Sequence, residues 1–403
     1  MENIKLKSIS LKSCKCFEDT IISFSKDNNA VYQWTVFIGN NNSGKTNLLR
    51  TIANVRPGQI IAFPDGKNKM SQYSVPVGFN ESRKSNLDLE INWEVTKFEG
   101  EYYYSKKECK VLDEKYVDGV KIYGYGVSRY SSKKSLSDSQ CDDCASLFSA
   151  DTKLINLEDW LMQLKLSSEQ QNAAKIRLER IKKVLCGEIF PDILDFRFES
   201  SDELHNSVSF QTVDGWFPYT ELGYGYQSML SWVVDLCKRM FERYPESENP
   251  LNENAIVLVD EIDLHLHPQW QRDIIPFLSK TFPNVQFIVS THSPLVLQSF
   301  TEVNLFTLHR SGEKVVIEHK EAVDYRGWSV EEILRDVLMM EDDVFSDELQ
   351  ELMKKFDDGL DKRNKKNVEE AYVRLASILH PESTLRRIVE LQCKRFLNSI
   401  NND

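Results

Sequence analysis

The run Gly39-Asn40-Asn41-Asn42-Ser43-Gly44-Lys45-Thr46 has the residue types and spacing that hold a polyphosphate. Its glycines, Gly39 and Gly44, let backbone N–H groups turn inward, and a following helix adds the positive end of its dipole. Lys45 is placed to reach the outer phosphate oxygens, and the Thr46 hydroxyl to ligate magnesium. The middle positions Asn40, Asn42 and Ser43 complete the loop that wraps the phosphates. Farther along, Asp260-Glu261 closes an apolar run, and this suits a carboxylate that holds the metal beside a general base that activates water. His292, in Ser290-Thr291-His292-Ser293-Pro294, follows the next apolar run and is suited to sense a terminal phosphate. A different chemistry, a two-metal nuclease cluster of Asp260, Glu261 and Asp263, would use the same carboxylates. It is disfavoured because a single nucleotide site already accounts for both the phosphate loop and the carboxylates.

Elements of a parallel sheet must position these groups. Trp34-Thr35-Val36-Phe37-Ile38 runs straight into Gly39, and Asn47-Leu48-Leu49-Arg50 opens a helix after Thr46. Apolar runs at 255–259 and 285–289 flank a stretch of helical spacing at 268–282, which predicts a strand, helix, strand unit. Short alternating runs from Ile4 to Phe24 predict paired, half-exposed strands, and 86–130 predicts an antiparallel insertion after the first helix. Ser131 to Cys144 reads as a polar loop. Two helices are expected over 157–166 and 168–187, with Ser167 and Gln170 as a capping box. A hairpin is expected at Ser311-Gly312, and charged helical periodicity from Ser329, with Glu332 completing a capping box, predicts a helical appendage.

Composition narrows the classes. A net charge of -12 argues against a protein that coats nucleic acid through a broad cationic surface, so any such contact must be local. The local basic clusters are Lys5, Lys7, Lys12 and Lys15, then Lys175 to Lys183, then Lys362 to Lys366; as a rule such clusters are solvated surface. No stretch approaches the ~18 to 20 apolar residues of a membrane helix, and the start lacks a secretory apolar core, so no membrane contact and a cytoplasmic location are expected. The 8 cysteines then read as reduced thiols. Cys14 with Cys16 and Cys141 with Cys144 form only half of a zinc ligand set each.

Together, the phosphate loop, Val259-Asp260-Glu261-Ile262-Asp263 with Leu264-His265-Leu266-His267-Pro268, and Ser290-Thr291-His292-Ser293-Pro294 resemble the SMC and RecF class of ABC ATPases from Ile4 to about Leu297. The resemblance implies an α/β ATPase head with a mixed sheet, binding ATP and Mg2+. It divides as a head over 1–325, a β-rich insertion at 56–130 and a helical pair at 154–190 inside it, and a C-terminal helical region over 326–403. In that class two heads sandwich ATP, the phosphate loop of one facing a signature segment of the other, with Asp263 in the loop that crosses the interface. Leu222-Gly223-Tyr224-Gly225-Tyr226-Gln227-Ser228 stands where the signature belongs. It departs from the usual Leu-Ser-x-Gly: Gly223 replaces the serine, leaving the amides of Gly223 and Gly225 to bind phosphate and implying slow hydrolysis.

Tyr123-Gly124-Tyr125-Gly126-Val127-Ser128-Arg129, Leu154 to Leu161, the signature variant and Gly327 to Leu334 are similar to the PtuA family of ATPases in the Septu antiphage system, whose relatives accompany some retrons. That resemblance implies an oligomeric ATPase that restrains an HNH endonuclease partner. Arg129 is either a second nucleotide or interface residue or a member of a structural ion pair. A transporter head is disfavoured by the long gap between Thr46 and the signature. A fused nuclease domain is disfavoured because Asp342-Asp343 and Asp357-Asp358 sit in polar helical sequence. A RecF-like repair clamp and an ATP-gated scaffold that does not hydrolyse remain the rivals. His265 and His267 read as part of the interface loop in preference to a metal site.

Overall fold

The computed structural model describes residues 4–12, 16–26, 30–54, 88–95, 98–105, 108–111, 122–132, 143–188, 190, 192–200, 206–320, 324–338 and 345–401. They form two compact units, Met1–Val330 and Glu331–Asp403.

In the first unit β1 (Ile4–Lys12) and β2 (Thr20–Ser23) pair antiparallel, as their alternation predicts. The wholly buried β3 (Trp34–Gly39) leads through the phosphate loop into α1 (Lys45–Asn54). Next come β4 (Asp88–Val95), β5 (Phe98–Ser105) and β6 (Glu108–Val111). They are not a separate subdomain: β4 pairs with the free side of β1, giving one sheet of order β2-β1-β4-β5-β6. An edge strand with unpaired N–H and C=O groups is a ready template for such an extension.

The stretch 56–130 also does not lie wholly outside the core. Its end, β7 (Ile122–Tyr125), is a buried parallel strand. After α2 (Ala145–Phe148), α3 (Leu157–Ser168) is capped by Asn156, whose side chain accepts from the Asp159 N–H. The Ser167–Gln170 capping box does not form. The break comes at Glu169 to Gln171, where the Gln170 and Gln171 N–H groups both donate to the Ser167 carbonyl. Then α4 (Asn172–Lys183) ends in one π-helical turn. A three-stranded antiparallel sheet, β8 (Asp195–Ser200), β9 (Asn206–Thr212) and β10 (Gly215–Pro218), precedes the long α5 (Tyr224–Arg243).

The central sheet is completed by β11 (Ala255–Val259), α6 (Pro268–Thr281), β12 (Val285–Thr291), α7 (Pro294–Leu297), β13 (Asn304–Ser311) and β14 (Lys314–Lys320). Its order is β14-β13-β3-β12-β11-β7, parallel throughout except for β14, which returns through the turn at Gly312. Both faces of β3, β11 and β12 are covered, so these strands are buried from end to end. Gln286, near the start of β12, is polar and fully buried. Its side chain accepts from the Leu6 N–H and donates to the Leu6 carbonyl, both at 2.9 Å, and so fastens β1 to the central sheet.

The second unit holds most of α8 (Val330–Asp336), then α9 (Asp347–Asp361), α10 (Lys365–Ile378) and α11 (Thr384–Asn401). Its core is Leu349, Phe356, Val368, Ala371, Leu375, Val389 and Cys393. Arg363 turns the chain with a left-handed φ of 50°, and the Asn364 side chain caps α10. Asp357 and Asp358 are exposed on α9, whereas Asp342 and Asp343 lie outside the described residues. Among the described residues no helix is long and apolar enough to cross a membrane.

Candidate functional site

The chemistry-bearing residues meet at the carboxyl ends of β3, β11 and β12, where an open parallel sheet presents helix N-termini and loops to a ligand. Gly39 ends β3 against the backbone of β13: a Cβ there would lie 2.1 Å from the Leu308 carbonyl oxygen. Asn42 (φ 62°) and Gly44 (φ 92°) take left-handed conformations that bend the loop back to α1. Ser43 is buried, and the Lys45 ammonium, also buried, donates to the carbonyls of Gly39 at 2.8 Å and Asn40 at 2.9 Å. Burial brings Lys45 down to about 8, against the pull of Asp260, Glu261 and Asp263.

The Thr46 hydroxyl donates to Asp260 Oδ2 at 2.7 Å, joining the phosphate loop to β11. Ser290 Oγ donates to Asp260 Oδ1 at 2.6 Å and accepts from the Glu261 N–H at 2.8 Å. Thr291 Oγ1 donates to Asp263, so this carboxylate is held within its own chain. Glu261 has a left-handed φ of 48°. Its carboxyl is raised, first by burial and then by Asp260 and Asp263, which suits a group that must take a proton. His292 is lowered by burial and then by Lys45, leaving a neutral imidazole near the cluster.

Arg129 is not a surface residue. It is 1% exposed, donates to the Glu261 carbonyl at 2.7 Å, and falls to about 10 through burial, opposed by Asp260, Asp263 and Glu261. Sequence reasoning left its role open because nothing local marks an arginine as buried, and Ser290, though inside a quoted motif, was given no role of its own.

Gly223 and Gly225 are not part of this hydrogen-bonded cluster. Gly223 stands at the N-cap of α5, and a Cβ on Gly225 would lie 2.5 Å from the His265 carbonyl oxygen. Close packing on the loop after Asp263 therefore explains this glycine. Tyr226 and Trp270 meet edge to face at 4.2 Å, tying the start of α5 to α6. His267 Nδ1 accepts from the Gln269 N–H and so caps α6, and no group of three or more potential metal-holding side chains occurs among the described residues. Cys16 and Cys144 are not in disulfides, and the Cys144 thiol donates to the Ile122 carbonyl, while Cys14 and Cys141 lie outside the described residues.

Of the basic clusters, Lys5 is committed to the Asn284 carbonyl and Lys182 to Asp195; Lys15 lies outside the described residues. A second buried network lies behind the site. Asp235 of α5, with its side chain fully buried, accepts from Tyr125 OH at 2.9 Å and from Arg239 Nε at 2.6 Å, and Arg239 also pairs with Asp143. Since the Asp260 N–H donates to the Tyr125 carbonyl, one residue of β7 touches both α5 and the backbone of Asp260.

The donor chemistry fits a magnesium nucleotide. A hydroxyl and a carboxylate oxygen converge beside a buried ammonium, a hard-oxygen pair that leaves the other positions of the ion to phosphate and water. Sheet order and site together define a P-loop ATPase head of the ABC kind. The chain belongs to the family described as "AAA domain, putative AbiEii toxin, Type IV TA system", whose model matches residues 34–298.

It is similar to the "Septu protein PtuA" of Bacillus thuringiensis, 30% identical over 60% of this chain and 63% of that protein. A second "Septu protein PtuA", from Bacillus mycoides, is 24% identical over 82% of this chain and 44% of that protein. The "Retron Ec83 probable ATPase" of Escherichia coli is 39% identical over 32% of this chain and 24% of that protein. The chain thus spans less than two thirds of the length of these relatives.

Proposed function

We propose that this chain is the ATP-binding and ATP-hydrolysing component of a bacterial antiphage defence complex. The observation that carries the reading is the 2.7 Å bond between Thr46 and Asp260, with Glu261 next in the chain and Lys45 beside it. Similarity to the Septu and retron proteins supports the setting. Bound magnesium would neutralise charge on the terminal phosphates. The chain's own part is to cradle those phosphates on the loop amides and Lys45, and to orient Asp260 through Thr46 and Ser290. Glu261 then accepts a proton from the attacking water, with His292 as the neutral contact to the terminal phosphate.

Two heads closing around ATP, Asp263 among the groups at their interface, and restraint of an HNH-type nuclease belong to the same proposal. Its companion is slow turnover, because Gly223 lacks the hydroxyl of the usual signature serine.

The test is steady-state MgATP hydrolysis by the purified chain, alone and with the products of its neighbouring reading frames, compared with Lys45→Ala and Glu261→Gln. Hydrolysis lost in both variants, with a small nuclease recovered on a tag carried by this chain, supports the proposal. Hydrolysis indifferent to both variants, or a lone ATP-dependent dimer that binds DNA with strong salt dependence, overturns it.

A further inference from the structure

Glu261 stands in an unusual backbone position. A φ of 48° places a long, non-glycine side chain in the left-handed region, which is strained and persists only where the surroundings hold it. Three groups do so. Ser290 Oγ takes the Glu261 N–H at 2.8 Å, the Leu264 N–H donates to the Glu261 carbonyl at 3.0 Å, and Arg129 Nη2 donates to the same carbonyl at 2.7 Å. The first two are ordinary neutral bonds of the loop, whereas the third brings in a buried guanidinium from a segment 132 residues away.

That guanidinium is poorly explained as a structural ion pair. Its Nε and Nη1 are buried without a hydrogen-bond partner among the described residues, and its Nη2 donates to a peptide carbonyl, not a carboxylate. Burying a cation so sparsely bonded is expensive, and an uncharged donor would tie the loop at less cost. What the charge adds is proximity to the crowded carboxylates Asp260, Glu261 and Asp263. The platform beneath it is rigid: the Asp260 N–H donates to the Tyr125 carbonyl, and a Cβ on Gly126 would lie 2.1 Å from the Ser146 carbonyl oxygen, so the strand end cannot move without displacing its neighbours.

We propose that Arg129 is a positioning residue for hydrolysis, clamping the left-handed Glu261 peptide so that the general base keeps one backbone conformation. This rests on the function proposed above for Glu261, but the clamp itself is testable without hydrolysis.

Hydrogen exchange of the ligand-free full chain is the first measurement. Arg129→Met keeps the buried volume and removes the donors. It is expected to speed exchange in the peptide covering Val259 to Leu264 about tenfold, with the peptide covering Gly39 to Leu48 unchanged, and Arg129→Lys is expected to recover part of the protection. Unchanged exchange at 259–264, or equal acceleration across the whole head, overturns the clamp.

In steady-state assays Arg129→Met is expected to lower kcat about tenfold with KM for ATP within about twofold, and to change the residual rate of Glu261→Gln by less than about twofold. A further full tenfold loss in the Glu261→Gln background shows Arg129 acting independently of the base and overturns the assignment. A wild-type chain that hydrolyses nothing refutes the ATPase reading, while the exchange result still decides the clamp.

Discussion

Ser290→Ala removes a single oxygen from the site, and the structure sets what that oxygen does. The hydroxyl is fully buried in β12; it donates to Asp260 Oδ1 at 2.6 Å and accepts from the Glu261 N–H at 2.8 Å. The bond to the carboxylate is charge-assisted and worth about 1.5 to 3 kcal/mol, and stranding the Glu261 N–H costs about 1 to 3 kcal/mol more. The sum of about 2.5 to 6 kcal/mol is at the high end for a point substitution.

Part of it appears as stability and part as disorder of Asp260 and Glu261 in the candidate site. All 7 tryptophans precede Glu331, so tryptophan fluorescence follows the unfolding of the head unit without interference from the C-terminal helices. In urea the head transition is expected to lose about 2 kcal/mol or more. Hydrolysis is expected to fall by about 10- to 100-fold, with a higher magnesium concentration needed for half-maximal rate. A variant whose head transition and magnesium dependence both coincide with wild type would refute the claim that this hydroxyl joins the two carboxylate residues.

Further expectations concern the loop, the lysine and the second network. Gly39→Ala puts a methyl group 2.1 Å from the Leu308 carbonyl, so β3 and β13 must part; a loss of about 3 kcal/mol or more by urea unfolding, with nucleotide binding abolished, is expected. Lys45, lowered to about 8 by burial, is partly neutral at pH 8.5, and phosphate favours its charged form. MgATP binding at that pH therefore takes up protons, measurable as a buffer-dependent binding enthalpy that is absent from Lys45→Met; no buffer dependence in the wild type would contradict the reading. Asp235→Ala leaves Arg239 with Asp143 alone and strips the acceptor from Tyr125 OH. The head transition should drop by about 3 kcal/mol or more, and ATP hydrolysis should weaken at temperatures well below unfolding.

The sequence alone was enough to read the phosphate loop, the Asp260-Glu261 pair and the His292 segment, because each is a contiguous motif joined to an apolar strand whose burial on both faces shows in its composition. For the same reason the parallel core around β3, β11 and β12 was legible, as was the β13–β14 hairpin from Ser311-Gly312. The tertiary structure decided the rest. That the strands after α1 extend the β1–β2 sheet, and that Ile122–Tyr125 returns to the central sheet, depends on which edges lie free to pair, and alternation along one strand does not specify its neighbour.

Position in the sequence marks Gly225, but what excludes a side chain there, the His265 carbonyl, is set by the packing of α5 on a loop encountered later in the chain. Arg129 and Asp235 are ordinary charged residues in sequence, and their meaning comes from burial. Groups separated by 132 residues, the Arg129 guanidinium and the Glu261 carbonyl, and by 110, the Tyr125 hydroxyl and the Asp235 carboxylate, act on one another only once the sheet has brought them together and removed the water between them.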